Sequence, residues 1–269
     1  MEYNELIAGI AKYGSSTDDI CKQIFGIRGN QIHEKVIIAP WWEPNVFEGL
    51  GREVVQISEV CNIKIWNIKT DEFEISYIKT GIGAPVLIDV VLALKLTKCK
   101  SVVFVGSVGA LVENISIGDI VIPEYSICGD GASRYLTSEP LKSNDVFGMK
   151  AFPDKALFNR TITVLNRICL ESNVKYRIGQ NFSTDSIFAQ FVHINEILDM
   201  NCNVIEMETA AAFNAAAIAE LPLVAVFSVS DNTIMKKSLI SGRTDEDMNY
   251  RRNIRKYVFP KVILELFST

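Results

Sequence analysis

Apolar and polar positions divide the chain into short buried strands alternating with helices through most of its length. The clearest stretch is VIEMETAAAFNAAAIAELPLVAVFSVSDN, Val204 to Asn232. It reads as a strand end at Glu206-Met207-Glu208, an Ala-rich helix, a break at Pro222, and an apolar strand, Leu223 to Val229, stopping at Ser230-Asp231. Short apolar or β-branched runs at 36–39, 63–68, 74–79, 101–105, 120–122 and 178–183 predict further strands. Residues 153–170 predict an amphipathic surface helix. Residues 84–96, with Pro85 in the first turn, predict a helix apolar on almost every side, which must be buried in the core or in a subunit interface. The alternation predicts an α/β fold, three-layer α/β/α with a mixed, mostly buried central sheet.

The two ends read differently. Residues 2–13 and 17–26 predict short amphipathic helices, the second opened by a Ser16-x-x-Asp19 capping box and stopped by Gly26. This divides the chain into a helical extension, 1–34, packed on a main domain, 35–269. From Thr244 the chain reads as helical again, and Arg251, Arg252, Arg255 and Lys256 have a spacing that ordinarily makes a solvated face.

Composition narrows the partners. A chain of 269 residues, 48% of them hydrophobic, with no linker-like stretch, suits one large α/β domain. A net charge of −5 argues against general affinity for nucleic acid or acidic membranes, which needs a basic footprint. The six cysteines form no C-x-x-C pair and the two histidines lie far apart, so neither a disulfide framework nor a metal site is expected, and no cofactor is implied. The N-terminus carries Glu2 and Glu5 and lacks an apolar run long enough for a signal or a membrane span. The expected location is the cytoplasm.

In open α/β sheets ligands bind at the carboxyl ends of strands, so Glu206, Glu208 and Asp231 are candidates for chemistry. Taken singly, an acid at a helix start or in a turn is as well explained by local structure. Gly81-Ile82-Gly83 and Gly106-Ser107-Val108-Gly109 read as tight turns after strands, and the helix beginning beyond Gly83 offers its N-terminus to an anion or a ribosyl oxygen.

The combination is more specific than its parts. Glu206-Met207-Glu208-Thr209-Ala210-Ala211 and Val229-Ser230-Asp231 are preceded, in order, by Thr80-Gly81-Ile82-Gly83-Ala84-Pro85, Val105-Gly106-Ser107-Val108-Gly109-Ala110-Leu111, Gly118-Asp119-Ile120-Val121-Ile122-Pro123, Asp130-Gly131-Ala132-Ser133 and Ser183-Thr184-Asp185. This set resembles the nucleoside phosphorylase and nucleosidase superfamily from roughly Lys35 to the C-terminus. The resemblance implies cleavage of the N-glycosidic bond of a nucleoside in nucleoside salvage. By the same resemblance Glu208 accepts the ribose hydroxyls, Met207 packs on the sugar, and Asp231 protonates a purine-type leaving group. Ile187 or Phe188 stacks on the base, with Glu206 beside it, and Gly83, Gly106 and Ser107 form the acceptor or anion site.

The partners implied are a nucleoside and inorganic phosphate, within a homo-oligomer, dimer or hexamer. The apolar 84–96 helix and the Trp41-Trp42 pair point to an oligomer as well. The arginine that precedes the V-G-S turn in phosphorylases corresponds here to Phe104, and the arginine of the family's G-D-P-x-R motif to Val46 or a neighbour. Without these cations the acceptor is phosphate or water, with water favoured and Glu43 as its activating base. The alternative is a catalytically inactive member that binds a nucleoside or base.

Overall fold

The computed structural model describes residues 1–268. Its strands are β1 (Lys35–Ala39), β2 (Glu53–Val60), β3 (Ile63–Lys69), β4 (Glu74–Lys79), β5 (Ser101–Ala110), β6 (Ile120–Gly129), β7 (Lys150–Ala151), β8 (Tyr176–Thr184), β9 (Val204–Glu206) and β10 (Leu223–Asn232). They form one mixed sheet in the order β10-β6-β8-β9-β5-β1-β4-β3-β2, with β7 on β6. Because β10 also pairs with β5, the β5-β10-β6-β8-β9 part closes on itself and the rest extends from it as an open wing. The helices are α1 (Tyr3–Lys12), α2 (Thr17–Phe25), α3 (Asn45–Glu48), α4 (Ala84–Leu94), α5 (Lys155–Ser172), α6 (Ile194–Asp199), α7 (Thr209–Ala219), α8 (Asp245–Asn253) and α9 (Phe259–Ser268).

The two-residue period of the strands produces the layers. In β1 and β5, Val36, Ile38, Val102 and Phe104 face one side and pack under α2, α4 and α7. Ile37, Val103 and Val105 face the other and pack under α5 and α9. A strand buried on both faces is continuously apolar, which is why these runs are legible in sequence. Strand β2 is not legible, since as an edge strand it carries exposed Glu53, Val55, Gln56 and Glu59.

Helix α4 is covered from within the chain. It packs against α7 and α2, and Tyr3 Oη donates to the Leu92 carbonyl at 2.8 Å. Its apolar surface is therefore used in the core, which removes it as ground for an oligomer. Trp41, 69% exposed, keeps that role. Helix α2 begins at the capping box, with Asp19 N donating to Ser16 Oγ at 3.2 Å and Ser16 N to Asp19 Oδ2 at 2.9 Å, and it ends at Gly26 with φ 68°.

The segment from Gly106 to Gly109 is strand rather than turn, and β5 runs on to Ala110 beside β10. The glycines serve close approach instead. A Cβ on Gly109 would lie 3.1 Å from Asp231 Oδ2, and one on Gly106 would lie 3.4 Å from the Phe227 ring. The β5–β10 register shifts between Val229 and Asp231, so Ser230 sits in a bulge of the kind that re-aims a neighbouring side chain.

The C-terminal helices are joined by a π-helical turn, Ile254–Val258. Pro260 has no N–H to continue the α-helical ladder, and a wider turn just before it accommodates the loss. Among the described residues no helix is long and apolar enough to cross a membrane.

Candidate active site

Strand ends β1, β5, β9 and β10 surround a cavity of about 320 Å³ that contains Ser107, Met207, Glu208, Asp231 and three arginines, Arg243, Arg251 and Arg255. Two glutamates that are neighbours in sequence have different tasks here. Glu206 is fully engaged: Oε1 accepts from Asn181 Nδ2 and Ser183 Oγ, both at 2.7 Å, and Oε2 accepts the backbone N–H groups of Glu208 at 2.7 Å and Thr209 at 2.9 Å. It ties β8 to the first turn of α7 and satisfies orphan donors there. These four bonds position the start of α7, and Glu206 also lines the cavity.

Glu208, the N-cap of α7 and 5% exposed, lines the cavity and accepts one bond, from Gly83 N–H at 2.8 Å. A carboxylate has about four acceptor sites, so capacity remains for vicinal hydroxyls. Burial, and then the Glu206 carboxylate, push its pKa up. Gly83 spends its N–H on Glu208 and does not itself line the cavity, unlike Gly106 and Ser107.

Asp231 is 2% exposed at the end of β10, and Ser230 Oγ donates to its Oδ1 at 2.6 Å. Burial raises its pKa, opposed by Ser230 and by Arg243 and Arg251. A carboxyl held towards its protonated form at a cavity wall is suited to donate a proton.

Across from it, Arg251 Nη2 donates to Ser107 Oγ at 2.7 Å, while Arg251 Nε is buried without a partner. Arg243 Nη2 donates to the Leu239 carbonyl at 2.8 Å, and the Arg255 guanidinium stands 5.5 Å over the Trp42 ring. Burial, then Arg255 and Arg243, lower the Arg251 pKa to about 10. Three half-buried guanidinium groups thus share the cavity with the carboxyl groups of Glu206, Glu208 and Asp231, and burial holds the latter two towards their neutral forms. Such an excess of positive charge in a cavity calls for an anion.

These arginines correct the expectation of a solvated C-terminal face. Arg252 does stay exposed, but Arg251 and Arg255, one turn apart across the start of the π-turn, are directed into the site. The i, i+4 spacing placed them on one helical face, and only tertiary packing shows what that face meets. Two further expected residues lie elsewhere. Phe188 is 87% exposed and does not line the cavity, whereas Ile187 does. Glu43 lies in a neighbouring cleft, where Lys79 Nζ donates to its Oε1 at 2.8 Å and holds its pKa below the usual range. Gln190, which sequence reading did not single out, lines the cavity and is buried, and among the described residues none hydrogen-bonds its side-chain amide. Among the described residues no group of histidine, cysteine, aspartate or glutamate has the arrangement to hold a metal.

The family model described as the phosphorylase superfamily matches residues 48–256. A purine nucleoside phosphorylase DeoD-type of an Exiguobacterium species is 26% identical over 160 residues, 58% of this chain and 62% of the relative's length. A 5′-methylthioadenosine/S-adenosylhomocysteine nucleosidase of Haemophilus ducreyi is 27% identical over 184 residues, 66% of this chain and 75% of that one. The crystal structure of a uridine phosphorylase from Vibrio fischeri superposes with a TM-score of 0.72 at 21% identity, covering 89% of this chain and 93% of that one, a likeness of fold.

Proposed function

Because the chain belongs to the phosphorylase superfamily, we propose that it cleaves the N-glycosidic bond of a purine-type nucleoside and transfers the ribosyl group to inorganic phosphate. The observation that carries the reading is the juxtaposition of the protonatable Asp231 with the Arg251–Ser107 pair in one cavity. Three charges change as the C1′–N bond breaks. The electron pair goes to the base, and Asp231 supplies the proton that neutralises it. The ribosyl ring becomes cationic, and its hydroxyls are held by Glu208 and its carbon skeleton by Met207. A phosphate oxygen closes on C1′ while Arg251, Arg255 and Ser107 balance its charge, and the products are free base and ribose 1-phosphate. Ile187 and the unpartnered Gln190 amide supply apolar and polar contacts to the base.

The preference for water rested on missing cations, and the cavity contains three. Glu43 is poorly suited to activate water there, since it is ion-paired with Lys79 in the neighbouring cleft. The test is product identity by phosphorus NMR with and without phosphate. Ribose 1-phosphate is expected, in strict dependence on phosphate; free ribose released at the same rate without it would restore hydrolysis. Binding without any base release would leave the inactive, ligand-binding member. The proposal includes a homo-oligomer, with exposed Trp41 near the cavity mouth as its ground.

Glu208→Ala is expected to weaken ribonucleoside binding by about 10²-fold or more while leaving free base nearly unchanged, because charge-assisted bonds to the sugar contribute roughly 1.5–3 kcal/mol each. Calorimetry on the two ligands checks it, and equal weakening would remove Glu208 from the sugar site.

A further inference from the structure

Arg251 reaches Ser107 by crossing a strand. Strand β10 lies between β6 and β5, and Ile120, Ser228 and Ser107 form one row across the three. The crossing begins on the β6 side, where a Cβ on Gly118 would lie 3.5 Å from the Arg251 Cα. It ends on the β5 side, with Arg251 Nη2 on Ser107 Oγ at 2.7 Å. Gly118 N–H donates to the Val229 carbonyl at 3.0 Å and Val229 N–H to the Asp119 carbonyl at 2.9 Å, so this part of β10 is fixed beneath α8. Side chains alternate along a strand, and Ser228 has the parity of Val224 and Val226, as Ser107 has that of Val103 and Val105. Both serines therefore face the layer of C-terminal helices that carries Arg251.

Ser228 is the one polar residue between Leu223 and Val229, and it is fully buried. Among the described residues nothing hydrogen-bonds its hydroxyl, and the Arg251 Nε–H is likewise buried and unpartnered. A buried hydroxyl without a partner is destabilising relative to an apolar side chain of similar size. One orphaned donor and one orphaned acceptor thus lie on the same path across β10.

We propose that Ser228 is a positioning residue for phosphate: in the phosphate-loaded protein its Oγ accepts the Arg251 Nε–H. That bond holds one edge of the guanidinium on the sheet and leaves the Nη edge to the anion, a planar fork that matches two phosphate oxygens. Forming it takes a staggered change at Ser228 χ1 or a small advance of the guanidinium, and either leaves the backbone in place. The inference rests on the phosphate reading above and adds to it a residue that does not line the cavity.

The test is Ser228→Ala, with inorganic phosphate as the probe. The variant is expected to raise the KM for phosphate about 10-fold and to hold the KM for the nucleoside within about 2-fold, since only a bond to Arg251 is lost. Stability should move the other way. Without phosphate the variant should melt no lower than wild type, because an orphaned hydroxyl is gone, yet phosphate should raise its melting temperature less. In the Arg251→Gln background the same change should add nothing to the KM for phosphate, because Ser228 acts only through that arginine. An unchanged phosphate KM in Ser228→Ala, where Arg251→Gln raises it, would overturn the role of Ser228 and leave the phosphate site standing. A lower melting temperature with both KM values raised, or a further loss in the double variant, would also overturn it. Wild-type base release that ignores phosphate would overturn the inference together with the phosphate reading.

Discussion

Asp231→Asn is expected to reduce base release from a purine nucleoside by about 10²–10⁴-fold, the usual worth of a positioned general acid. The substitution keeps size and shape at the end of β10, beside the Gly109 that leaves room for the carboxyl. Its pH signature separates lost chemistry from lost structure. Because burial raises the Asp231 pKa, the wild-type rate should fall as pH rises through that raised value, and the Asn variant should lack that limb. The sign for stability runs the same way. A carboxyl whose folded pKa is raised adds stability at low pH that is lost as pH rises through the folded value, so above that range the variant should be no less stable than wild type. Steady-state rates and thermal melts across pH check both, and a wild-type rate in the variant would remove Asp231 as the acid.

Arg251→Gln combined with Arg255→Gln is expected to lower kcat/KM for phosphate by about 10²–10⁴-fold, since each charge-assisted bond contributes roughly 1.5–3 kcal/mol and two are removed. The single Arg251→Gln variant should show about 10–10²-fold of that, because Ser107 also loses the guanidinium that orients its hydroxyl. Nucleoside binding without phosphate should hardly change, which distinguishes an anion site from general damage. The half-buried cluster repels itself in the empty cavity, so the double variant should melt no lower than wild type at low phosphate, and phosphate should stabilise wild type more than the variant. If phosphate raised both melting temperatures equally and its KM were unchanged, the acceptor site would have to be sought elsewhere.

The corrections share a cause, visible at Arg255 and Glu43. Arg255 lines two neighbouring spaces and Glu43 only the cleft beside the site, and their sequence neighbours are a charge run in one case and the segment between Pro40 and Pro44 in the other. Their roles depend on which distant strand end or helix lies opposite. Gly106 and Gly109 mislead differently: a glycine needed for a tight turn and one needed to admit a neighbouring strand's side chain look alike in one dimension.

By itself the sequence determined what repeats locally or is carried by a contiguous motif. Two-faced burial of β1, β5 and β10 made the sheet legible, capping chemistry made α2 legible, and the Glu206–Thr209 and Val229–Asp231 segments announced the acidic residues that line the cavity. Tertiary structure alone decided the charge balance of that site. Arg251 and Arg255 come from a stretch 20 to 24 residues beyond Asp231 that reads as a solvated helix, and a π-turn before Pro260 and the packing of α9 on the sheet bring it back over Ser107. Periodicity records which residues share a face, because that is set by the geometry of one element. What the face meets is set by long-range packing, and a solvated arginine and an anion-binding one follow the same local rule.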